Sequence, residues 1–386
     1  MSKREKDRYW RKEFIETELK HRVLEKYLPA YWRILERKAR GFTYIDGFAG
    51  AGKYRDGSKG SPLLAMELVS RLRSEGSLAV PVHFGFIEAN EEKAKQLKQA
   101  AIPLAKELAL EMPIVIHGSF EEQIFPLLAT LEEKCAIGFC PTFIFIDPFG
   151  YKDVPLSLIA DLARVRNREL FITFMSQPMA RFLSDSKKSR TYDAVFGSRA
   201  WQQCFFEHEF NDEKYQECLV RVYTEELNRV LQKKLDTYIF PFRVEEVKRG
   251  GLYHLIHISH HPKARQVMDE AVSVAGATKR DASKKEIQEV GLKLKIQDAK
   301  PIDIAGEAIV SLLQQKRDPV PVLDVAAYLW RRNEFMTLRW RDFEATVMWL
   351  SQKGLVRIER PPSQPARRHA KKLYPGKGET LRFIGE

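Results

Sequence analysis

The sequence is poor in cysteine and has no long apolar segment. The spacing of its four cysteines shows no C-x-x-C motif and no regular framework, which predicts reduced, partly buried thiols at Cys135, Cys140, Cys204 and Cys218. The first residues lack an apolar core, so no signal peptide is predicted. No apolar stretch approaches the roughly 20 residues that a transmembrane helix needs. These absences predict a cytoplasmic protein that does not span a membrane.

A metal site is not indicated either, although histidines crowd one short segment. His254, His257, His260 and His261 lie within eight residues. On a strand, residues 254 and 260 share one face and residue 257 points to the other. No second cluster of Cys, Asp or Glu stands nearby in the sequence. We therefore predict no metal and interpret these histidines as residues of a pocket rim or of a packed strand.

Acidic residues are the minority among the charged ones. The chain of 386 residues has 64 Lys and Arg against 52 Asp and Glu, which gives a formal net charge of +12 at pH 7. This excess favours contact with a polyanion such as a nucleic acid, although a basic enzyme without such a partner would show the same balance. The length predicts two domains.

Small residues are concentrated after the first predicted strand. Residues 43–46 form a short apolar segment that ends in Asp46, and Gly47-Phe48-Ala49-Gly50-Ala51-Gly52 follows. Glycine accepts positive φ and lets a backbone approach a ligand closely. This stretch therefore predicts a binding loop for a nucleotide-like molecule.

A P-loop is one alternative for this stretch. Gly47 to Lys53 spells G-x-x-x-x-G-K, and residues 143–147 have the pattern of a strand that ends in a magnesium-binding acid. A P-loop needs Ser or Thr after the lysine, where this chain has Tyr54, and a helix that starts there. Turn-forming residues follow instead at positions 55–62. The sequence therefore disfavours the P-loop.

The other alternative is the first loop of an S-adenosylmethionine (SAM) methyltransferase. Further strands are predicted at residues 82–87, 114–116, 143–146 and 170–175, and residues 238–244 and 253–258 are predicted to form a closing antiparallel pair. The predicted fold is therefore α/β, a Rossmann-like class I SAM-methyltransferase sheet, in which ligands lie outside the carboxyl ends of the strands.

This fold predicts a set of SAM-binding residues. Glu88 ends the second strand, where an acid takes ribose hydroxyls, although it could instead interact with the dipole of the next helix. Ser119 and Phe120 follow the third strand, beside the adenine. The complete predicted set is Asp46, Gly47, Phe48, Ala49, Gly50, Gly52, Tyr54, Glu88, Ser119 and Phe120.

Residues 44–54 (Y-I-D-G-F-A-G-A-G-K-Y), together with Gly60-Ser61-Pro62, resemble the signature of the three-Cys-motif partner (TcmP) proteins. The D-P-F-G run at residues 147–150 and the strand pair that ends in His260-His261-Pro262 fit the same family, over about residues 10–285. The A-G-A-G-x-Y…G-S-P run is also similar to the ribosomal-RNA adenine-N6 methyltransferases. The resemblance implies a bacterial protein that binds SAM and acts with a radical-SAM-like partner, which itself carries the three-cysteine motif.

Asp147 is the predicted catalytic residue. Adenine-N6 and cytosine-N4 methyltransferases carry Asp/Asn/Ser-Pro-Pro-aromatic at this sheet position, where the oxygens orient the amine and the ring stacks on the base. This chain has Asp147-Pro148, but Phe149 replaces the second proline and Gly150 replaces the aromatic residue. Phe149 or Tyr151 would then supply the stacking ring. The alternative is a turn that only closes the SAM pocket.

Two further segments complete the predicted organisation. Residues 178–235 are predicted as a helical insertion in domain 1–285, either a basic and aromatic nucleic-acid surface or helices packed on the sheet. After a linker at 286–300, residues 301–386 show three helices, the third capped by Thr337, and two strands, the pattern of a winged helix-turn-helix. Its predicted nucleic-acid contacts are Arg339, Arg341, Arg367, Arg368, Lys371 and Lys372. A protein-docking module is the alternative.

These patterns predict a SAM-dependent methyltransferase-like protein that acts on nucleic acid, on a base amine, together with the three-Cys-motif partner. A rival hypothesis is a non-catalytic adaptor that binds DNA and recruits that partner. The altered D-P-F-G run favours the adaptor.

Overall fold

A mostly parallel β-sheet forms the centre of the molecule. Its main strands are β1 (Phe42–Asp46), β2 (Val82–Glu88), β3 (Ile114–His117), β4 (Thr142–Ile146), β5 (Arg168–Phe174), β6 (Tyr238–Glu246) and β7 (Leu252–Ser259), and β8 (Leu292–Lys293) has two residues. The order is β3-β2-β1-β4-β5-β7-β6-β8. Strands β1 to β5 are parallel, and β7 runs antiparallel to β5 and β6. The predicted α/β class is confirmed, and the arrangement is compatible with a Rossmann-like fold.

The structure is a computed structural model. It describes residues 3–135, 138–181, 186–207, 212–232, 236–246, 252–276, 292–293, 302–316, 318–360, 373 and 378–385. None of the helices in these ranges is long and apolar enough to cross a membrane.

Helices cover both faces of the sheet, which explains why the central strands are continuous apolar runs. One face carries α1 (Lys3–Leu35), α2 (Ser61–Ser74), α3 (Glu91–Glu107) and α10 (Pro262–Gly276). The other carries α4 (Phe120–Lys134), α5 (Leu156–Ala163) and the long helix α9 (Asp212–Leu231). Each face has its own apolar core. Every residue of β1, β2 and β4 is buried between them.

Helix α1 is an element that the sequence analysis did not predict. Its first part is rich in charged residues. Its second part buries Leu24, Leu28 and Trp32 against the sheet and against α2 and α10. The helix therefore belongs to the core, and it carries polar side chains to the carboxyl ends of the strands.

The segment between β5 and β6 is helical where the structure describes it. It forms α6 (Ser176–Arg181), α7 (Ser189–Phe196), α8 (Gln202–Glu207) and α9. Tyr192, Phe196 and Trp201 are buried in the core, whereas Phe206 is 80% exposed. Three of the described aromatic side chains of this segment are therefore part of the core, and Phe205 and Phe206 are exposed.

The prediction of four free thiols is wrong. Cys135 bonds to Cys140, and Cys204 bonds to Cys218. The first pair spans the connection from α4 to β4, and the second joins α8 to α9. Their Cα atoms lie 6.1 Å and 5.6 Å apart, within the range that a disulfide bridges. Sequence spacing could not reveal the second pair because the two helices meet only in the fold.

The chain ends in a smaller unit of helices and short strands with a core of its own. Its elements are α11 (Ile302–Gln314), β9 (Val320–Pro321), α12 (Val322–Trp330), α13 (Trp340–Gln352), β10 (Val356–Glu359) and β11 (Thr380–Phe383). The strands pair in the order β10-β11-β9. Side chains such as Ile309, Val325 and Phe343 fill the space between the helices and this small sheet.

Arg265 of α10 joins this unit to the main domain. Its side chain is fully buried, and its guanidinium carbon lies 3.3 Å from the ring centroid of Phe240 and 4.9 Å from that of Trp330. It donates to the carbonyl of Leu338 over 3.0 Å. Burial lowers the pKa of Arg265 to about 9, and the nearby Asp269 carboxylate opposes this effect. The C-terminal unit is therefore docked on the sheet domain through a desolvated cation.

Candidate functional site

Three acidic residues meet at the carboxyl ends of neighbouring parallel strands. Asp46 ends β1, Glu88 ends β2, and Asp147 directly follows β4. Strand β1 pairs with β2 on one side and with β4 on the other. Burial is the main reason that the pKa of Asp46 is raised, and the charges of Asp147 and Glu88 add to this effect. The predicted ligand edge therefore carries the predicted acids.

Asp46 lies at the bottom of this site and is fully buried. The hydroxyl of Ser61, the first residue of α2, donates to Oδ2 over 2.5 Å, and the N–H of Phe48 donates to Oδ1 over 3.2 Å. Burial raises the pKa of Asp46 to about 7, whereas these two hydrogen bonds lower it. Asp46 thus ties the glycine loop to the start of α2.

The loop after Asp46 is shaped by its glycines. Gly50 and Gly52 have φ of +63° and +77°, values that other residues rarely adopt. A Cβ on Gly47 would lie 2.5 Å from the ring of Phe120, whereas a Cβ on Gly50 would meet nothing within 4 Å. The loop is thus closely packed beneath Gly47 and open above Gly50. This opening fits a ligand that approaches the backbone.

Glu88 fixes the same loop from the neighbouring strand. It is 5% exposed, and its two oxygens accept hydrogen bonds of 2.8 Å from the N–H groups of Gly50 and Asn90. An ionised carboxylate has about four lone-pair sites, so it retains capacity for ribose hydroxyls. The side chain of Asn90, not that of Glu88, caps α3 by accepting from the N–H of Lys93 over 3.0 Å. Asn90 thus makes the side-chain cap of α3, and Glu88 binds the backbone N–H of Asn90 next to it.

Two predicted SAM-binding residues, Phe120 and Ser119, have structural roles in the fold. Phe120 is 2% exposed, and its ring centroid lies 5.2 Å from that of Phe48, beneath Gly47. Ser119 caps α4. Its hydroxyl accepts a hydrogen bond from the N–H of Glu122 and donates one to the carboxylate of Glu122 over 2.7 Å. The ring of Phe120 thus supports the glycine loop from inside the core, and the position of residues 117–120 beside the adenine stays a prediction.

The segment after Lys53 does not have the geometry of a P-loop. Lys53 forms an isolated antiparallel bridge with Lys59, and α2 begins only at Ser61. No helix N-terminus therefore stands directly after the lysine, where a P-loop would need one to hold phosphates. Tyr54 occupies the turn, where it is 39% exposed and its ring lies 6.1 Å from that of His21.

Asp147 has an ion-pair partner that the sequence did not indicate. The ammonium of Lys20, on α1, lies 2.5 Å from Asp147 Oδ2, and Lys20 is 9% exposed. The same ammonium lies 5.9 Å from the ring centroid of Tyr253. Burial lowers the pKa of His21 to about 4, helped by the charge of Lys20 and opposed by that of Asp147. Helix α1 thus brings a cation to the predicted catalytic carboxylate.

The residues after Asp147 divide into a buried and an exposed part. Pro148 is buried, and the ring centroid of Tyr151 lies 5.5 Å from that of Tyr192 in the insertion. Phe149 is 69% exposed, with the ammonium of Lys93 4.8 Å from its ring centroid. Of the two predicted stacking rings, Phe149 therefore presents more surface to a ligand, and Tyr151 packs against the insertion.

The histidines near the end of β7 contact separate partners. His254 Nδ1 lies 3.0 Å from the Ser176 hydroxyl, and His257 Nε2 lies 3.2 Å from a carboxylate oxygen of Glu169. Burial lowers the pKa of both histidines, that of His254 to about 3. Within the described ranges, no group of three His, Cys, Asp or Glu side chains is placed to hold a metal ion. These histidines are packed strand residues.

The predicted start of the recognition helix is mostly buried. Arg339 is 5% exposed and forms an ion pair with Asp269 of α10, so the prediction that it contacts nucleic acid is wrong. Asp269 also accepts from the N–H of Trp340, so this carboxylate, not Thr337, caps α13. Arg341 has an exposed side chain 3.5 Å from Asp342. The four remaining predicted contacts lie outside the described residues: Arg367, Arg368, Lys371 and Lys372.

Comparisons with known proteins give no family for this chain. No family model matches the sequence, and no curated protein matches it. Among solved structures, it is similar to protein LPL1258 from Legionella pneumophila str. Philadelphia 1, of family DUF519. The identity is 14%, the TM-score is 0.37, and the match covers 67% of this chain and 91% of that chain. A likeness at this score carries no argument, and the resemblance to TcmP proteins stays a prediction from sequence.

Proposed function

We propose that this protein is a SAM-dependent methyltransferase that acts on an amine of a nucleic-acid base. The observation that carries the proposal is the meeting of Asp46, Glu88 and Asp147 at adjacent strand ends, above a loop that is open at Gly50. Ligands of open α/β sheets bind at this edge. The strand order and the closing antiparallel strand support the same assignment.

The residues of the loop fit SAM. In the proposal, Asp46 to Gly52 pass beside the methionine part and Glu88 binds the ribose hydroxyls. SAM supplies an electrophilic methyl group when bound. The carboxylate of Asp147 and the carbonyl of Pro148 accept hydrogen bonds from the acceptor amine and orient its lone pair. Phe149, with its exposed ring, stacks on the base.

Lys20 holds the carboxylate that this chemistry needs. Its ammonium lies 2.5 Å from one oxygen of Asp147. An amine that binds Asp147 must share or replace this contact. In the proposal, Lys20 therefore keeps Asp147 in place and is displaced in part when the acceptor enters.

We further propose that the C-terminal unit is a winged helix-turn-helix that delivers the nucleic acid. Three helices and strands in the order β10-β11-β9 support this assignment. The net charge of +12 supports a polyanionic ligand. The radical-SAM-like partner rests on the sequence resemblance alone.

A non-catalytic adaptor is the second candidate, and two observations favour it. Phe149 and Gly150 depart from the Pro-aromatic pair of base-amine methyltransferases, and the Asp147 carboxylate is already paired with Lys20. An adaptor would use the C-terminal unit to bind DNA and would recruit the partner without methyl transfer.

Calorimetric titration of the full chain with SAM tests the proposal. We expect micromolar binding that is lost in Asp46→Ala and Glu88→Ala. Asp161→Ala is the matched control, because this carboxylate is exposed on α5 and pairs with Arg164. If millimolar SAM produced neither heat nor a thermal shift, the methyltransferase hypothesis would be excluded and the adaptor hypothesis would be favoured.

Asp147→Ala separates the two candidates. We expect this variant to bind SAM with unchanged affinity and to lose transfer of labelled methyl groups to nucleic acid extracted from bacteria. Wild-type protein that binds SAM and nucleic acid but labels none of the extracted DNA or RNA would favour the adaptor.

A further inference from the structure

The exposed ring of Phe149 is in contact with a cation from another element. Phe149 lies in the turn after β4, outside any helix or strand, and is 69% exposed. The ammonium of Lys93, on α3, lies over this ring, 4.8 Å from its centroid. A Cβ on the next residue, Gly150, would meet nothing within 4 Å, so the turn is open on that side. The core therefore gives the ring little support, and Lys93 supplies a contact from outside the turn.

The sequence of this turn leaves the ring more freedom than a Pro-Pro-aromatic motif would. Pro148 is present, but Phe149 stands where the motif has its second proline, and Gly150 follows. Proline fixes φ near −65°, whereas glycine is the most permissive residue. Ordering a mobile ring costs conformational entropy when a base binds to it. A contact that orders the ring before binding removes part of this cost.

The local structure of α3 leaves Lys93 available for this contact. Its N–H donates to the side chain of Asn90 over 3.0 Å, which fixes its backbone in the first turn of the helix. Glu91, two residues earlier, pairs with Lys95 over 3.0 Å and not with Lys93. In the described part of the chain, no carboxylate forms an ion pair with the Lys93 ammonium, so no acid draws it away from Phe149.

The contact between Lys93 and Phe149 crosses the candidate site. Lys93 follows β2 and Phe149 follows β4, and these two strands pair with opposite sides of β1. Adjacent strands lie about 4.8 Å apart, so the contact joins elements that start roughly 10 Å apart in the sheet. It therefore passes over the carboxyl end of β1, where the glycine loop begins, between the strand ends that carry Glu88 and Asp147.

We propose that Lys93 is a positioning residue for the acceptor base. Its ammonium covers one face of the Phe149 ring and holds the ring across the site, and the base stacks on the other face. A cation over an aromatic face is attracted by the ring quadrupole, and the attraction persists at exposed sites. The inference rests on the proposed function and names the residue that holds its stacking ring.

Fluorescence anisotropy with the full chain and a labelled single-stranded oligonucleotide tests this role, because unpaired bases can stack without being extracted from a duplex. One arm uses DNA and the other uses RNA. We expect Lys93→Gln to weaken binding several-fold and Lys93→Arg to retain it, since a guanidinium also stacks on an aromatic ring. Phe149→Ala should weaken binding at least as much. In the double variant, Lys93→Gln should add nothing to Phe149→Ala, because the ring through which Lys93 acts is gone.

Lys95→Gln is the matched control. It removes an exposed cation from the same helix, and we expect unchanged affinity, with equal thermal midpoints in all variants. Full affinity in Lys93→Gln would overturn the inference while the proposed function stands. Additive losses in the double variant, with the slope of log affinity against log salt lowered by about 1, would show that Lys93 binds a phosphate directly and would also overturn it. Wild-type protein that binds neither oligonucleotide would exclude both this role and the nucleic-acid ligand, and the SAM titration would still decide on the cofactor.

Discussion

Replacing Asp46 by asparagine should change how the stability of the protein depends on pH. The carboxyl group is fully buried, and burial raises its pKa from the ordinary value of 3.8 to about 7. Between these two values the folded chain keeps a proton that the unfolded chain has lost. Stability therefore falls as pH rises through this interval and levels off above it. Asparagine cannot ionise, so the variant lacks this loss.

The expected change in the free energy of unfolding follows from the difference between the pKa of Asp46 in the folded and in the unfolded chain. Each pH unit of difference corresponds to about 1.4 kcal/mol, so the interval of about 3 units gives about 4 kcal/mol as an upper bound. The free energy of unfolding of Asp46→Asn minus that of wild type should therefore increase from pH 4 to pH 7. Asparagine also alters the hydrogen bonds from Ser61 and Phe48, which adds an offset that does not vary with pH.

Urea unfolding at several pH values between 4 and 8 measures this difference. Burial lowers the pKa of His21 and of His254, which makes both proteins less stable as pH falls; these effects cancel in the comparison. Asp56→Asn is the control. Its carboxylate is exposed, and the hydrogen bonds from Ser58 lower its pKa, so its contribution stays constant above pH 5.

A flat difference between Asp46→Asn and wild type over this pH range would refute the reasoning. It would mean that Asp46 ionises near its ordinary pKa and that water reaches it. A slope of the opposite sign would show that the hydrogen bonds outweigh the burial.

Two further substitutions test the packing around the site and between the units. Asp269→Ala leaves Arg339 without its buried partner and should destabilise the protein by about 3–5 kcal/mol, with earlier proteolysis of the C-terminal unit. Asp324 is exposed, so Asp324→Ala should change neither the stability nor the proteolysis of the C-terminal unit. If Asp269→Ala and Asp324→Ala melted at the same temperature, the role of Asp269 between the two units would be contradicted. Gly47→Ala places a methyl group 2.5 Å from the Phe120 ring and should cost about 1–3 kcal/mol in thermal unfolding. An unchanged midpoint would show that the ring moves freely.

Much of the sheet could be predicted because its signals are local. The apolar runs before Asp46, Glu88 and Asp147 follow from strands buried on both faces, and the structure places a strand at each of them. The positive φ of Gly50 and Gly52 agrees with the expected role of glycine in the loop. These patterns lie within a few residues of one another, so no knowledge of the fold was needed.

Predictions that depended on a side chain's surroundings were less secure. The sequence predicts residues 117–120 as a loop beside the adenine because they follow a strand, but it does not reveal that the Phe120 ring lies beneath Gly47 in the core. Arg339 is predicted to contact nucleic acid because it lies at the start of the predicted recognition helix. A cation at a helix start looks the same in sequence whether it faces solvent or a buried carboxylate.

The sequence by itself thus determined the strands, the acids at their ends and the glycine loop, because each depends on neighbouring residues. Only the tertiary structure decided which groups those acids contact. Lys20 meets Asp147 across 127 positions, and Arg339 meets Asp269 across 70. Both contacts depend on how α1, α10 and α13 pack, and that packing is set by burial over the whole molecule, which leaves no local pattern in the chain.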